Sequence, residues 1–182
     1  GAISPQTGLV KNANSTWLIG RDFKHDLARA LSREVRMAND ANCLAVSESV
    51  DGAGAGAKVV FAIILGTGCG GGLAIDQKIH SGPLSIAGEW GHTTLGWMRP
   101  EEYPGGKCYC GKRGCLETYV SGTGFEDEYE RKTGIRISAR EIIKKIEQGD
   151  DNAEKVMRIY ENRLARGIAT LANFLDPDVL VL

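Results

Sequence analysis

The chain has 182 residues, a net charge of −1, and contents of 42% hydrophobic and 25% charged residues. Such values suit one soluble globular domain, or pieces of two, and give no electrostatic case for nucleic acid. No apolar run approaches the ~20 residues that cross a bilayer, and nothing in the first residues reads as a signal peptide.

In chain order, residues 1–20 are rich in Gly, Ser, Asn and Thr and read as short β-like pieces. Phe23, Leu27, Leu31 and Val35 recur every fourth residue, the stripe of an amphipathic helix, and a brief strand is expected at 35–37. Asn39 and Asp40 stand where the next helix starts, because Asn and Asp are favoured N-caps. That helix runs to about Val50 through Leu44 and Ala45, with Cys43 expected on its apolar, core-facing side. DGAGAGA at 51–57 is small and flexible, a linker or hinge or simply a low-complexity loop.

VVFAIIL at 59–65 is the continuous apolar run of a central strand. GTGCGGG follows, then Leu73 to Ile75, a turn at Asp76-Gln77, and Lys78 to His80, a hairpin-like pattern. Residues 81–124 read as irregular. Ser138 and Glu141 form a capping box that opens a helix ending near Gly149. Val156, Ile159, Tyr160, Arg163, Leu164, Ile168 and Leu171 outline a long helix to about Leu175. Residues 179–182 form a closing strand, expected to be parallel and buried. A β-rich block followed by helix and strand reads as α/β, with no internal repeat. The closing DPDVLVL, a turn and then a strand that wants ladder partners, and Gly rather than Met at position 1 suggest an internal fragment of a longer protein.

Three cysteines and one histidine have the spacing H-x15-C-x-C-x4-C: His92, Cys108, Cys110 and Cys115. Four such ligands are the number a tetrahedral structural Zn²⁺ takes. Gly111 and Gly114 give the backbone freedom to wrap an ion. The five cysteines are odd in number and three are bunched, which favours ligation in a reducing compartment over disulfides. The alternative is a loop of unpaired thiols. Cys69, in the glycine turn, reads as a residue small enough to fit there. Glu89 and Glu117 flank the cluster and suggest that the metal shapes a polar binding site.

Residues 66–71 match G-x-G-x-x-G, but a strand and a turn follow, where a dinucleotide fingerprint needs a helix. No Lys-Ser or Lys-Thr follows, so the stretch is not a P-loop. Backbone N–H groups of a glycine turn can still meet phosphate, and Thr67 adds a hydroxyl. A tight hairpin between packed sheets would explain one or two of these glycines. Asp40 alone reads as a helix cap. Beside a hydroxyl nucleophile that attacks a phosphate it reads as the carboxylate that takes the hydroxyl proton.

With these residues in hand, the chain resembles the ROK family of sugar kinases and sugar-sensing repressors. The resemblance rests on NDANC (39–43), LGTGCGGG (65–72), AGEWGH (87–92) and CYCGKRGCLE (108–117), and it runs over the whole chain. KNANSTWL (11–18) adds a likeness to the fructokinase (manno-fructokinase) branch. The resemblance implies a partial actin-like ATPase (ribonuclease H-like) fold. It implies a first lobe over 1–55 that carries the catalytic aspartate. A second lobe over 56–182 would carry the phosphate loop and the zinc loop.

By the same resemblance Asp40 is the catalytic base, and Asn39, Glu89, His92 and Glu117 join it in holding the sugar. His92 would do so while ligating Zn²⁺ through its other nitrogen. Gly66, Thr67, Gly68, Cys69, Gly70, Gly71 and Gly72 would form the second phosphate loop. Asn14 and Trp17 would lie near the sugar-pocket wall, although a turn Asn and a core Trp are the plainer readings.

The family's opening Asp-x-Gly-Gly-Thr phosphate loop and its adenosine site after the Asp-Pro-Asp strand have no counterpart here. The fragment alone is therefore expected to be inactive. For the parent protein the implied activity is transfer of phosphate from Mg-ATP to a hexose, with fructose favoured and mannose, glucose or an N-acetylated sugar as alternatives. A cytoplasmic homodimer is expected. The rivals are a ROK repressor, whose DNA-binding part would precede residue 1, and a zinc-ribbon interaction module.

Overall fold

The computed structural model describes residues 1–11, 13 and 15–182. Asn14 lies outside the described residues. The elements in chain order are β1 (Ala2–Ile3), β2 (Val10–Lys11), α1 (Phe23–Leu31), α2 (Asp40–Val50), β3 (Val59–Leu65), β4 (Cys69–Ile75), β5 (Lys78–Ile79), α3 (Glu117–Val120), α4 (Gly122–Thr133), α5 (Ala139–Glu147), α6 (Asp151–Leu175) and β6 (Val179–Val181). The chain divides into two compact units. One holds Gly1–Ile63, Gly71–Gly88 and Asp178–Val181, and the other Ile64–Gly70, Glu89–Pro177 and Leu182.

In the first unit the sheet order is β5-β4-β3-β6. The expected closing strand is parallel to β3, pairing Val60 with Val179 and Ala62 with Val181, although it is only half-buried. The Asp178 carboxylate accepts the Lys58 and Val59 amides at 3.0 and 2.7 Å, which sets that register. The apolar run of β3 supplies Val60 and Ala62 to a core shared with Ala45, Ala74 and Val181. The Asp76-Gln77 turn takes two positive φ angles, 49° and 60°, as a tight hairpin requires. Antiparallel β5 follows it.

Asn39 caps α2 by accepting the Ala41 and Asn42 amides, so the cap is Asn39 and Asp40 is the first helical residue. Ala41, Ala45 and Ser49 form the buried face of α2, and Cys43, two residues off that row, is exposed rather than in the core. Residues 51–57 are successive turns tied to α2, with the Ala53 amide on the Glu48 carboxylate at 2.8 Å and the Gly54 amide on the Glu48 carbonyl at 3.0 Å. α1 ends at Leu31, where Ser32 turns left-handed (φ 50°), so Val35 is outside the helix and residues 35–37 form no strand. Trp17 is 74% exposed, which rules out the core reading for it.

In the second unit α4, α5 and α6 enclose Phe125, Tyr129, Ile142, Ala153 and Val156. The capping box at Ser138 and Glu141 is present. α6 starts at Asp151, capped by Asp150, and ends at Leu175 as its stripe indicates. Within the stretch expected to be irregular, α3 and the start of α4 are helical. Ser121 caps α4 by accepting the Gly124 amide, and a first turn of Gly, Thr and Gly hides that helix from propensity reasoning.

Candidate sugar and metal site

The GEWGH segment shows how local geometry builds the second unit's polar face. Trp90–His92 is a single 3-10 turn preceded by Glu89. The turn is closed by the His92 amide, which donates to the Glu89 carbonyl at 3.2 Å. Trp90 is the anchor: it is buried, and its indole N–H donates to the Gly70 carbonyl at 2.8 Å. Gly91 is needed because a β-carbon there would stand 2.1 Å from the Cys69 carbonyl oxygen. Glu89 is exposed and His92 half-buried.

A β-bridge from Thr94 to Cys115, with the Leu116 amide on the Thr93 carbonyl at 2.8 Å, returns the chain to His92. A second bridge, Lys107 to Arg113, closes the cysteine knuckle. Gly111 and Gly114 sit at φ of +90° and +71°, values that side chains avoid. The result gathers the ligand atoms of His92, Cys108, Cys110 and Cys115 within 4.8 Å of one another.

Zn²⁺ held by sulfur at ~2.3 Å would set tetrahedral ligand atoms about 3.8 Å apart. Cys110 Sγ lies 3.6 Å from Cys115 Sγ, and Cys108 Sγ lies 3.5 Å from His92 Nδ1. The donor set and its spacing therefore fit the ion. Burial pushes the Cys115 thiol up to about 12 and raises Cys108, whereas a hydrogen bond from the Lys112 amide lowers Cys110. A cation that ligates these sulfurs replaces their protons.

His92 Nδ1 faces the sulfurs, and Nε2 lies 2.8 Å from the Tyr109 hydroxyl. The Tyr109 hydroxyl is pushed up to about 12, first by burial of that end and then by the negative charges of Glu117 and Glu89. Tyr109 thus belongs with the acidic pair and the histidine. Sequence reasoning missed it, although its place between Cys108 and Cys110 was the available signal.

Glu117 joins the cysteine–histidine cluster to the glycine turn. Its Oε2 accepts the Cys69 amide at 2.9 Å, and its Oε1 is 3.8 Å from Cys108 Sγ. A β-carbon at Gly68 would meet Oε2 at 2.6 Å. Cys69 is buried, as a small residue suits, and burial followed by the Glu117 charge pushes its thiol up to about 12. The turn itself is short: the Gly66 amide donates to the Gly68 carbonyl at 2.9 Å, and Cys69, Gly70, Gly71 and Gly72 already belong to β4. Thr67 presents its carbonyl to the Thr123 hydroxyl at 3.0 Å. A β-carbon at Gly66 or Gly70 would have nothing within 4 Å, and neither residue has a positive φ, so protein packing does not explain these two glycines.

In the first unit Gly72 lies against the start of α2, where its β-carbon would be 2.0 Å from the Ala41 carbonyl oxygen. Gly72 therefore packs on the residue that follows Asp40. Asp40 is exposed, with Oδ1 accepting the Ala41 amide at 3.0 Å. Asn39, half-buried, spends its Oδ1 on the helix cap at 2.9 Å from the Ala41 amide, while its side-chain amide reaches the Gly1 carbonyl at 3.5 Å.

A buried charge network that the sequence did not reveal holds the loop before the cysteines. Glu102 accepts from Arg163 Nε at 2.9 Å and from Arg166 Nη2 at 2.6 Å, and Glu128 accepts from Arg163 Nη1 at 3.0 Å. The Tyr119 hydroxyl donates to the Glu102 carbonyl at 2.7 Å. Burial disfavours the Glu102 charge, but hydrogen bonds from Arg166, the Arg99 amide and Arg163 outweigh it and bring the carboxyl down to about 2.

The ROK family model matches residues 1–182, and the chain belongs to the ROK family. It is 41% identical to an N-acetyl-D-glucosamine kinase of Pasteurella multocida and 38% identical to one of Histophilus somni. The match takes in 100% of the chain and 62% and 61% of those proteins. The chain thus spans about three fifths of their length. Among solved structures, a ROK hexokinase from Thermus thermophilus matches with a TM-score of 0.84 and 28% identity over 99% of this chain and 58% of that one. A ROK glucokinase from Streptomyces griseus, in complex with glucose and AMPPNP, matches with a TM-score of 0.83 and 28% identity over 99% of this chain and 61% of that one. The fold is α/β and corresponds to part of the actin-like ATPase fold of the ROK sugar kinases. The names of these relatives are N-acetyl-D-glucosamine kinase, hexokinase and glucokinase, so the likeness supports a sugar kinase of this family and does not single out fructose. Among the described residues no helix is long and apolar enough to cross a membrane.

Proposed function

We propose that the whole protein is an ATP-dependent hexose kinase and that its sugar is N-acetylglucosamine. Fructose is the alternative carried by residues 11–18. The observation that carries the reading is Glu117, which ties the amide of the glycine turn to the His92/Cys108/Cys110/Cys115 cluster in a chain whose relatives are sugar kinases. A link between phosphate loop and sugar loop is what a phosphoryl-transfer site requires, because catalysis there is mostly positioning and charge stabilisation.

Asp40 takes the proton of the attacking hydroxyl. Asn39, Glu89, His92 and Glu117 hold the other hydroxyls. The backbone of residues 66–72, open at Gly66 and Gly70, receives the phosphates together with the Thr67 hydroxyl. Mg²⁺ enters with the nucleotide. Zn²⁺, when bound, neutralises the thiolates and stiffens the knuckle, and no position is left on it for substrate.

Two measurements test this reading. A hexose panel with coupled ADP detection is expected to rank N-acetylglucosamine above glucose, mannose and fructose. Preference for fructose would return the assignment to the alternative. Asp40→Asn is expected to lower kcat by ~10²–10⁴ while sugar still binds, and turnover near the wild-type rate would remove Asp40 from the base role.

A further inference from the structure

Resting on the sugar-site reading above, the geometry points to Tyr109 as an internal competitor for the sugar: its hydroxyl occupies the one hydrogen-bonding nitrogen that His92 keeps for a ligand. Imidazole has two ring nitrogens, and each serves one in-plane partner. Nδ1 faces Cys108 Sγ at 3.5 Å, on the metal side. A histidine that ligates metal through Nδ1 carries its proton on Nε2 and donates from there. The acceptor in place is the Tyr109 oxygen at 2.8 Å, with the two rings edge-to-face at 5.0 Å and 80°.

A hydroxyl that accepts from the imidazole has, at that nitrogen, the contact that the site offers a hexose hydroxyl. Tyr109 imitates that hydroxyl. It is 72% exposed, so turning the ring aside gives up chiefly the His92 hydrogen bond and the edge-to-face contact. A sugar that reaches His92 must first break the tyrosine contact. The residue between the first two cysteines therefore sets hexose affinity, and through it the discrimination between sugars whose hydroxyls reach Nε2 and sugars whose hydroxyls do not.

The test is calorimetric titration of N-acetylglucosamine and of glucose into the zinc-loaded whole protein, as wild type and as Tyr109→Phe. Zinc is measured separately by release with a thiol reagent. Phenylalanine keeps the ring and removes the competing oxygen. The expected result is two- to tenfold tighter binding in Tyr109→Phe, with equal zinc in both proteins. Equal or weaker binding in the variant, with wild-type binding intact, overturns the competitor role and leaves the sugar site standing. Altered zinc content in the variant also overturns it, because Tyr109 would then act on the metal. No heat from any hexose with the wild type overturns the sugar-site reading itself.

Discussion

The second unit contains two regions held together by different forces. The helical region, residues 121–175, buries Phe125, Tyr129, Ile142, Ala153 and Val156 against one another. It folds as amphipathic helices do, by removing apolar surface from water. The loop region, residues 89–117, buries few large apolar side chains of its own, chiefly Trp90, Leu95 and Leu116. Its shape depends on the cysteine–histidine cluster and on Glu102, which is clamped by Arg163 and Arg166. The difference teaches where specificity is stored. Apolar helices make a platform, and polar contacts place individual oxygens such as those of Glu117 and Glu102.

The largest separation of the two regions is expected from metal removal. Structural Zn²⁺ is worth roughly 10–16 kcal/mol of apparent binding energy in peptides, so chelation should melt residues 89–117 and abolish sugar binding while the helical region persists. Hydrogen exchange would show rapid labelling from residue 107 to 116 and continued protection in α4 to α6. Equal protection of both regions after chelation would break the comparison.

Breaking the charge clamp comes next. Glu102→Ala leaves Arg163 and Arg166 with one carboxylate fewer in a buried setting, which should cost about 3–5 kcal/mol, measured by urea unfolding. The wild-type clamp also predicts a pH dependence. The Glu102 carboxyl is depressed in the folded state, so its contribution is present above its ordinary value near 4.5 and is lost as pH falls from there towards about 2. The Glu102→Gln protein should lack that part of the acid loss.

The smallest of these effects tests the apolar platform. Ile142 is fully buried, and Ile142→Ala should cost about 2–5 kcal/mol in a cavity left behind. Zinc affinity should be nearly unchanged, because the platform and the knuckle are stabilised independently. A parallel loss of zinc would show one cooperative unit instead of two differently held regions.

The same division explains what could be read from the sequence. Short-range signals were legible. The Ser138 capping box, the stripe of α6, the apolar run of β3 and the clustering of His92, Cys108, Cys110 and Cys115 each depend on residues close in the chain or on strong residue-type preferences. Contacts made across long separations were not legible. Arg163 fell on the apolar stripe of α6 as a charged exception, and nothing local named Glu102, 61 residues away, as its partner. α4 was hidden by a glycine-rich first turn, and Cys43 was misplaced because the buried row of α2 follows Ala41 and Ala45. The glycine run looked like one loop, whereas its Cys69–Gly72 part is strand, with Gly72 pressed on α2.

X-ray absorption at the zinc edge of the purified protein probes the central idea at its source. One zinc per chain with three sulfur neighbours near 2.3 Å and one nitrogen near 2.0 Å would establish that His92, Cys108, Cys110 and Cys115 clamp the loop that carries Glu117. Protein that purifies without zinc, or zinc surrounded by oxygen, would mean that something else shapes that loop.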